Sequence, residues 1–484
     1  MNRTGTVTFL SLALSAGAMF VGSRCDAAEP DKKPVFRAGA AASVITPALG
    51  TSLNGGMRDR KAMHVHDELH ARALVLDDGA GKLALVVCDS CMIPRDIMDD
   101  AKQRASAATG IPVERMIISA THTHSAPTAT GVFQSEPDEE YRRFLPGRIA
   151  DAIRRANNNL APAQIGWASG SVPGQVFNRR WKMKPGTIAP DPFGRPVDLV
   201  KMNPPAMSEN LVEPAGPTDP EVCVLAVRSP DGRPIALLAN YSLHYVAGVP
   251  GNDVSADYYG AFAERIAELL APGKHDPPFV GIMSNGTSGD CNNVNFRAPR
   301  PKQGPYEQVR IVANDVAQEA KSAYGKIQWK DHVKLDARLT VIELGVRRPD
   351  DADLKAAQAR LAAAASKDLV KVEDIYARET VLMAKYPPKV ELVLSAFRIG
   401  DHAICAIPCE VFCEIGLELK AKSPFKPTFT MSLANGYNGY LPTPEHHRLG
   451  GYETWRAQSS YLEPAASPVV VGKLLAMLGE MAGK

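Results

Sequence analysis

Neither sign of charge prevails in this sequence: 55 lysines and arginines stand against 53 aspartates and glutamates, a formal net charge of +2. No block of like charge interrupts it. A nucleic-acid binder needs a strong, local excess of basic side chains, so that class is excluded. Also missing, beyond the first 28 residues, is any apolar run approaching the roughly 20 residues that cross a bilayer. No transmembrane segment is therefore expected in a mature chain. No internal repeat is visible, and no shift of composition marks a linker. Cysteine is sparse, with eight in 484 residues. Cys88 and Cys91 stand three apart, and Cys409 and Cys413 stand four apart around Glu410. Neither pair has the surrounding sequence of a four-cysteine zinc knuckle. The seven that follow Cys25 cannot all pair within the chain, and buried free thiols are the expected state.

What is present is an ordinary globular composition, 45% hydrophobic and 22% charged, enough to bury a large core. Arg3, the apolar run Val7–Val21 and the small residues Ala27 and Ala28 have the layout of a secretory signal peptide. Residues 1–28 are read as that leader, and 29–484 as one large domain outside the cytoplasm, periplasmic or secreted. A retained N-terminal anchor is the alternative. A lipid anchor on Cys25 is disfavoured by Arg24, which sits where a small residue is needed.

The patterning is mixed α/β: central β-sheets flanked by helices. Strands are expected at Leu83–Val87, Met116–Ser119, Val222–Val227, Ile235–Ala239, Phe279–Met283, Leu339–Leu344, Leu392–Ile399 and Ala403–Ile407. Helices are expected at Asp96–Thr109, Tyr141–Asn157, Asp257–Leu270 and Tyr306–Tyr324, with a long helix or helical hairpin over Leu354–Ala384. Pro185–Pro217 and Asn435–Pro464 read as long loops, which in compact domains are often functional.

Ligand-capable residues recur where apolar strands end. SATHTHS follows MIIS, so His122 and His124 alternate at a strand end and are expected to turn to one side. Neutral imidazole is a common zinc ligand. His244 closes IALLANYSLH, and Glu410 follows Pro408 in AICAIPCE. Tyr440 lies in LANGYNGYLPTPE. Each alone is an ordinary residue: a loop histidine, a helix-capping glutamate, a surface tyrosine. Their recurrence is the stronger signal, because sites in α/β sheets form at the carboxyl ends of strands.

Taken in order, GAAASVITP, HDELHARALVLDD, VVCDSCMIP, SATHTHSAPT, FNRR, NYSLHY, VSADYYG, IPCE and LANGYNGYLPTPEHHRLGGYE resemble the neutral/alkaline non-lysosomal ceramidase family from about Arg37 to Leu462. The resemblance implies a hydrolase of an amide, or an ester, with a small-molecule N-acyl substrate and a Zn2+ cofactor. The family's zinc ligands fall on His122, His244, Glu410 and Tyr440. His124 falls on the second histidine beside the metal, as base or proton shuttle. Arg179 falls on the arginine that meets the substrate carbonyl, and Tyr452 on the second tyrosine, twelve positions after Tyr440.

Two departures stand out. Asn292 in GDCNN occupies the place of the family's serine, and is expected to take part in catalysis as a further neutral hydrogen-bond donor. No immunoglobulin-like segment follows the tyrosine loop, so smaller or more soluble acyl compounds are expected to serve better than ceramide in bilayers. Two other readings remain open: a non-catalytic exported binding protein on the same scaffold, and a phosphoester hydrolase in which Asp89 and Asp257 help hold a second metal.

Overall fold

The computed structural model describes residues 1–2, 5–12 and 35–483. Of the expected leader's apolar run only 7–12 is described, without regular secondary structure. Cys25 and the Ala27–Ala28 junction lie outside the described residues. The chain divides into Met1–Pro34 and Val35–Lys484, and every described strand and helix lies in Val35–Lys484.

Three sheets share one connectivity. In the first, Arg37–Val44, His70–Asp77 and Lys82–Cys88 are antiparallel neighbours. Helix Arg95–Thr109 then crosses over to Met116–Ala120, parallel to Lys82–Cys88, and helix Glu139–Asn158 follows. In the second, Gln164–Ser171, Glu221–Arg228 and Pro234–Tyr241 are antiparallel. Helix Asp257–Leu270 leads to the parallel strand Val280–Asn285, then to helix Glu307–Tyr324. In the third, Leu335–Gly345, Lys389–Ile399 and His402–Ala406 are antiparallel. Helix Cys413–Lys422 leads to Thr428–Met431, parallel to His402–Ala406, and helix Ala466–Met481 follows. One strand-and-helix unit is thus used three times, a repeat of topology with no trace in the sequence.

Side-chain alternation divides each sheet between two cores. Leu74, Leu76, Leu85 and Val87 of the first sheet, Leu225, Leu238 and Ile282 of the second, and Phe397, Ile404 and Phe429 of the third fill one shared centre. The alternate residues face the helices. Ala73, Val75, Ala84 and Val86 meet the helices of the first unit. Val224, Leu237 and Ala239 meet those of the second, and Leu394, Ala403 and Cys405 those of the third. No described helix is long and apolar enough to cross a membrane.

Every expected strand and helix is found within a few residues of its bounds, and Leu354–Ala384 resolves into a pair, Asp351–Ala362 and Val372–Met383. Arg37–Val44 is a strand that the pattern does not predict, since its alanines and glycine have low strand propensity. Tertiary contact explains it: a Cβ on Gly39 would lie 2.3 Å from the Ala156 carbonyl oxygen, so only small residues let helix Glu139–Asn158 rest on this strand. Strands His70–Asp77 and Gln164–Ser171 and helices Cys413–Lys422 and Ala466–Met481 are likewise additions to the expected set.

The carboxyl ends of the parallel strands meet. Ala120 N–H donates to the Leu433 carbonyl and Ser432 N–H to the Asn285 carbonyl, each at 3.1 Å. That junction sets the position of the site.

Candidate metal centre

His122 lies two residues beyond Met116–Ala120, at φ 76°. The strand has already ended, so His122 and His124 turn to one side, as expected, through the loop's own backbone and not through strand alternation. A non-glycine residue in the left-handed region costs energy and persists only where its surroundings enforce it. Here His122 Nδ1 is 2.8 Å from the Cys91 carbonyl oxygen. The second unit supplies a counterpart, with His244 Nδ1 3.0 Å from the Ser288 carbonyl oxygen. A ring nitrogen facing a carbonyl must be the N–H donor. In the neutral rings both Nε2 atoms therefore carry lone pairs, the arrangement that outer hydrogen bonds impose on metal-binding histidines.

Those two Nε2 atoms are 3.1 Å apart, with ring centroids 4.4 Å apart and planes at 90°. Glu410, from the third unit, places Oε2 3.1 Å from His122 Nε2 and 3.9 Å from His244 Nε2. Its Oε1 accepts from the Tyr437 hydroxyl at 3.0 Å, while Oε2 is buried without a hydrogen-bond donor. Two lone pairs and a carboxylate oxygen facing one another in a buried space repel unless a cation or proton lies between them. Donors about 2.0–2.2 Å from one tetrahedral ion would stand roughly 3.3 Å apart, so the three residues could hold a metal ion. Burial opposes charge on His122, but the Glu410 carboxylate raises its pKa well above the usual range. Burial holds His244 well below it, with Arg179 and His122 adding to the effect.

The other expected residues gather around this group, with one exception. Tyr440 pairs with Glu410 across a short parallel bridge, lines the same pocket, and accepts from Arg179 Nη2 at 3.0 Å. His124 Nε2 lies 3.2 Å from His122 Nε2, and its ring stacks on Tyr245 with centroids 3.7 Å apart. Burial, then His122 and Arg179, hold its pKa well below the ordinary value. Tyr452 lines the pocket, 6.0 Å from Tyr440 between ring centroids. Asn292 is the exception. It sits in a short strand beside Phe177 and does not line this pocket. Its amide donates to Asn203 at 2.7 Å, so the structure does not give it the donor role considered from the sequence.

The second-metal pair is not assembled either. Asp89 Oδ2 is bound by Arg72 at 2.5 Å and by the His70 N–H at 2.9 Å. Asp257 accepts from the Val246 and Tyr258 N–H groups at the start of its helix. Neither belongs to a metal-capable group among the described residues. The seven described cysteines are free and buried.

Several site residues go beyond those the sequence suggests. Glu453 is fully buried and bridges two arginines, with Arg179 Nε at 2.9 Å and Arg180 Nη1 at 2.5 Å. Its place next to Tyr452 is the available signal. Tyr437 lies in the same tyrosine-rich stretch as Tyr440, where nothing in the pattern sets it apart. Cys91 and Ser288 act through carbonyl oxygens, which every residue has, so no signal marks them.

A model of the neutral/alkaline non-lysosomal ceramidase family, N-terminal region, matches residues 36–332. The chain belongs to this family. It is 22% identical over 319 residues to the neutral ceramidase of Mycobacterium tuberculosis (strain ATCC 25618 / H37Rv), covering 60% of this chain and 46% of that protein. The chain thus spans about half the length of that curated relative. Its fold is similar to the crystal structure of neutral ceramidase from Pseudomonas aeruginosa, with a TM-score of 0.67 at 19% identity, covering 92% of this chain and 75% of the other. It is also similar to a ceramidase complexed with C2, with a TM-score of 0.68 at 16% identity, covering 93% and 76%. At these identities the likeness establishes the ceramidase fold.

Proposed function

We propose that this ceramidase-family chain is an exported, zinc-dependent hydrolase of N-acyl amides, preferring substrates smaller than ceramide in bilayers. The observation that carries the reading is the meeting of His122 Nε2, His244 Nε2 and Glu410 Oε2 within 3.1–3.9 Å, each bare of a donor hydrogen in its neutral or ionised form. Tyr440 is the proposed fourth ligand. An ion held there supplies Lewis acidity and makes water acidic enough to ionise near neutral pH.

The rest is done by the chain. His124 is neutral at pH 7 and within reach of the group, which suits a base that takes a proton from the attacking water. As the C–O bond forms and the C–N bond breaks, the same imidazolium returns that proton to the departing amine. Arg179 has Nε and Nη2 committed to Glu453, Gly289 and Tyr440, which leaves Nη1 to face the developing oxyanion. The Tyr452 hydroxyl is the proposed second donor. Each such donor is worth roughly 3 kcal/mol in other hydrolases. Met92, Val132, Phe133 and Tyr437 line the pocket beside the group, an apolar wall that suits an acyl chain.

The test is turnover of soluble N-acyl amides and of long-chain ceramide in vesicles, with metal content measured before and after chelation. Metal-independent turnover overturns the mechanism, and equal rates on both substrates overturn the size preference. Export rests on the run Val7–Val21 before Ala27–Ala28. An intact N-terminus in a cytosolic fraction would remove it.

A further inference from the structure

Behind the tyrosine loop lies a second cavity, of about 250 Å³, into which Arg195, Arg347 and Arg456 all open. It is smaller than the roughly 300–1,000 Å³ that holds a drug-sized ligand. The three cations are incompletely answered. Arg347 has no carboxylate within ion-pair distance among the described residues. Its donors go to main-chain oxygens of Leu462, Thr454 and Ser460 and to the Ser460 hydroxyl, all at 2.7–2.9 Å. One Nη1 hydrogen is left over from the guanidinium's five. Arg456 Nη2 reaches Asp353 at 2.8 Å, but its Nε is buried with no acceptor. Arg195 uses only Nε, on Asp191. Arg195 and Arg456 both stand over Phe193, 4.8 and 5.4 Å from its ring centroid.

The acids of the cavity are already engaged. Asp191 accepts from the Phe193 and Arg195 N–H groups as well as from Arg195 Nε. Asp198 accepts from the Gly451 N–H and Trp455 Nε1. Burial and the neighbouring guanidiniums push Arg347 down to about 10, so it remains a cation at neutral pH. His447, at the same wall, is held at about 3 and stays neutral. A buried donor with no partner calls for an ion or water in its place, and planar guanidiniums match oxyanions in pairs.

We propose that this cavity binds a small oxyanion of the phosphate class, free or as the headgroup of a phosphate ester. The site is separate from the metal centre and does not rest on the proposed hydrolysis. Isothermal titration of inorganic phosphate into the full chain, against chloride at matched ionic strength, should show one saturable site. Arg456→Gln should weaken it about ten-fold or more. Arg195→Gln should do the same, and it replaces a side chain 56% exposed, so the fold tolerates it. His244→Ala should leave phosphate affinity unchanged, which separates this site from an anion at the metal centre. Vesicles of phosphatidylglycerol, compared with phosphatidylcholine, decide the source. Recruitment that both arginine variants reduce assigns a headgroup, and binding of free phosphate alone assigns the inorganic ion. Absence of saturable binding to either probe overturns the proposal. So does binding that neither arginine variant weakens, or that His244→Ala abolishes.

Discussion

Arg179 Nε and Glu453 Oε1 lie 2.9 Å apart with both side chains out of water, and the other oxygen of the same carboxylate holds Arg180. One buried acid thus answers two buried bases, one of which also donates to Tyr440. Removing one partner of a buried pair leaves an uncompensated charge and costs about 3–5 kcal/mol. Glu453→Ala is expected to lower stability by at least that range in urea unfolding. Arg179 would also lose the anchor that aims it, so turnover should fall. An unfolding free energy within about 1 kcal/mol of wild type, the worth of one ordinary hydrogen bond, would show that the pair is not what holds these arginines.

Metal content should separate ligands from helpers. His122→Ala and His244→Ala each remove one of two nitrogen donors and should strip the ion from a folded protein. His124→Ala should retain the ion and lose about 10²–10⁴ in rate, the usual value of a positioned base. Tyr440→Phe should reduce turnover more than metal content, since three ligands remain. Elemental analysis beside circular dichroism distinguishes these outcomes, and an ion retained by His122→Ala would remove the proposed centre.

Gly55, whose backbone also hydrogen-bonds His124, tests the positioning of that ring. Its φ is 98°, and a Cβ there would lie 2.4 Å from His124 Cγ. Gly55→Ala should push the ring off its stack on Tyr245 and lower kcat while metal content stays full. Strain from the positive φ should add about 1–3 kcal/mol of destabilisation. Unchanged kcat would mean that the ring has room to move without consequence.

Glu379 should give stability a pH slope away from the metal. Burial pushes its carboxyl from 4.5 up to about 7, partly offset by the Gln458 N–H and Arg378. Between those values the folded state binds the extra proton. Its contribution is therefore full below pH 4.5 and is lost as pH rises through about 7. Glu379→Gln keeps an acceptor for Gln458 and cannot ionise. Relative to wild type it should gain up to about 3 kcal/mol between about pH 5 and 8. Urea unfolding at both values measures this, and a difference that is flat with pH would contradict the assignment.

Much of this is legible in one dimension because the informative side chains announce themselves. Alternating or continuous β-branched and leucine-rich runs mark strands such as Glu221–Arg228 and Lys389–Ile399. His122, His244 and Glu410 each follow such a run. Arg37–Val44 stays hidden because its reason for being a strand is a helix packed on Gly39, a contact made 117 positions away at Ala156. The three-fold use of one topology stays hidden because a fold repeat needs only the same hydrophobic periodicity, not the same residues.

By itself, then, the sequence determined the kinds of side chain available: nitrogen and oxygen donors at strand ends, a second histidine beside them, an arginine and two tyrosines. Only the tertiary structure decided which of these meet. Three sheets packed on one apolar centre bring the ends of distant strands within bonding distance. Main-chain carbonyls of Cys91 and Ser288 then choose which nitrogen of each imidazole is left bare. Asn292 shows the converse, since the motif suggests a place at the site while its amide turns to Asn203 instead. A side chain's type is carried by the sequence, but its direction is set by the backbone and by hydrogen-bond partners that only folding supplies.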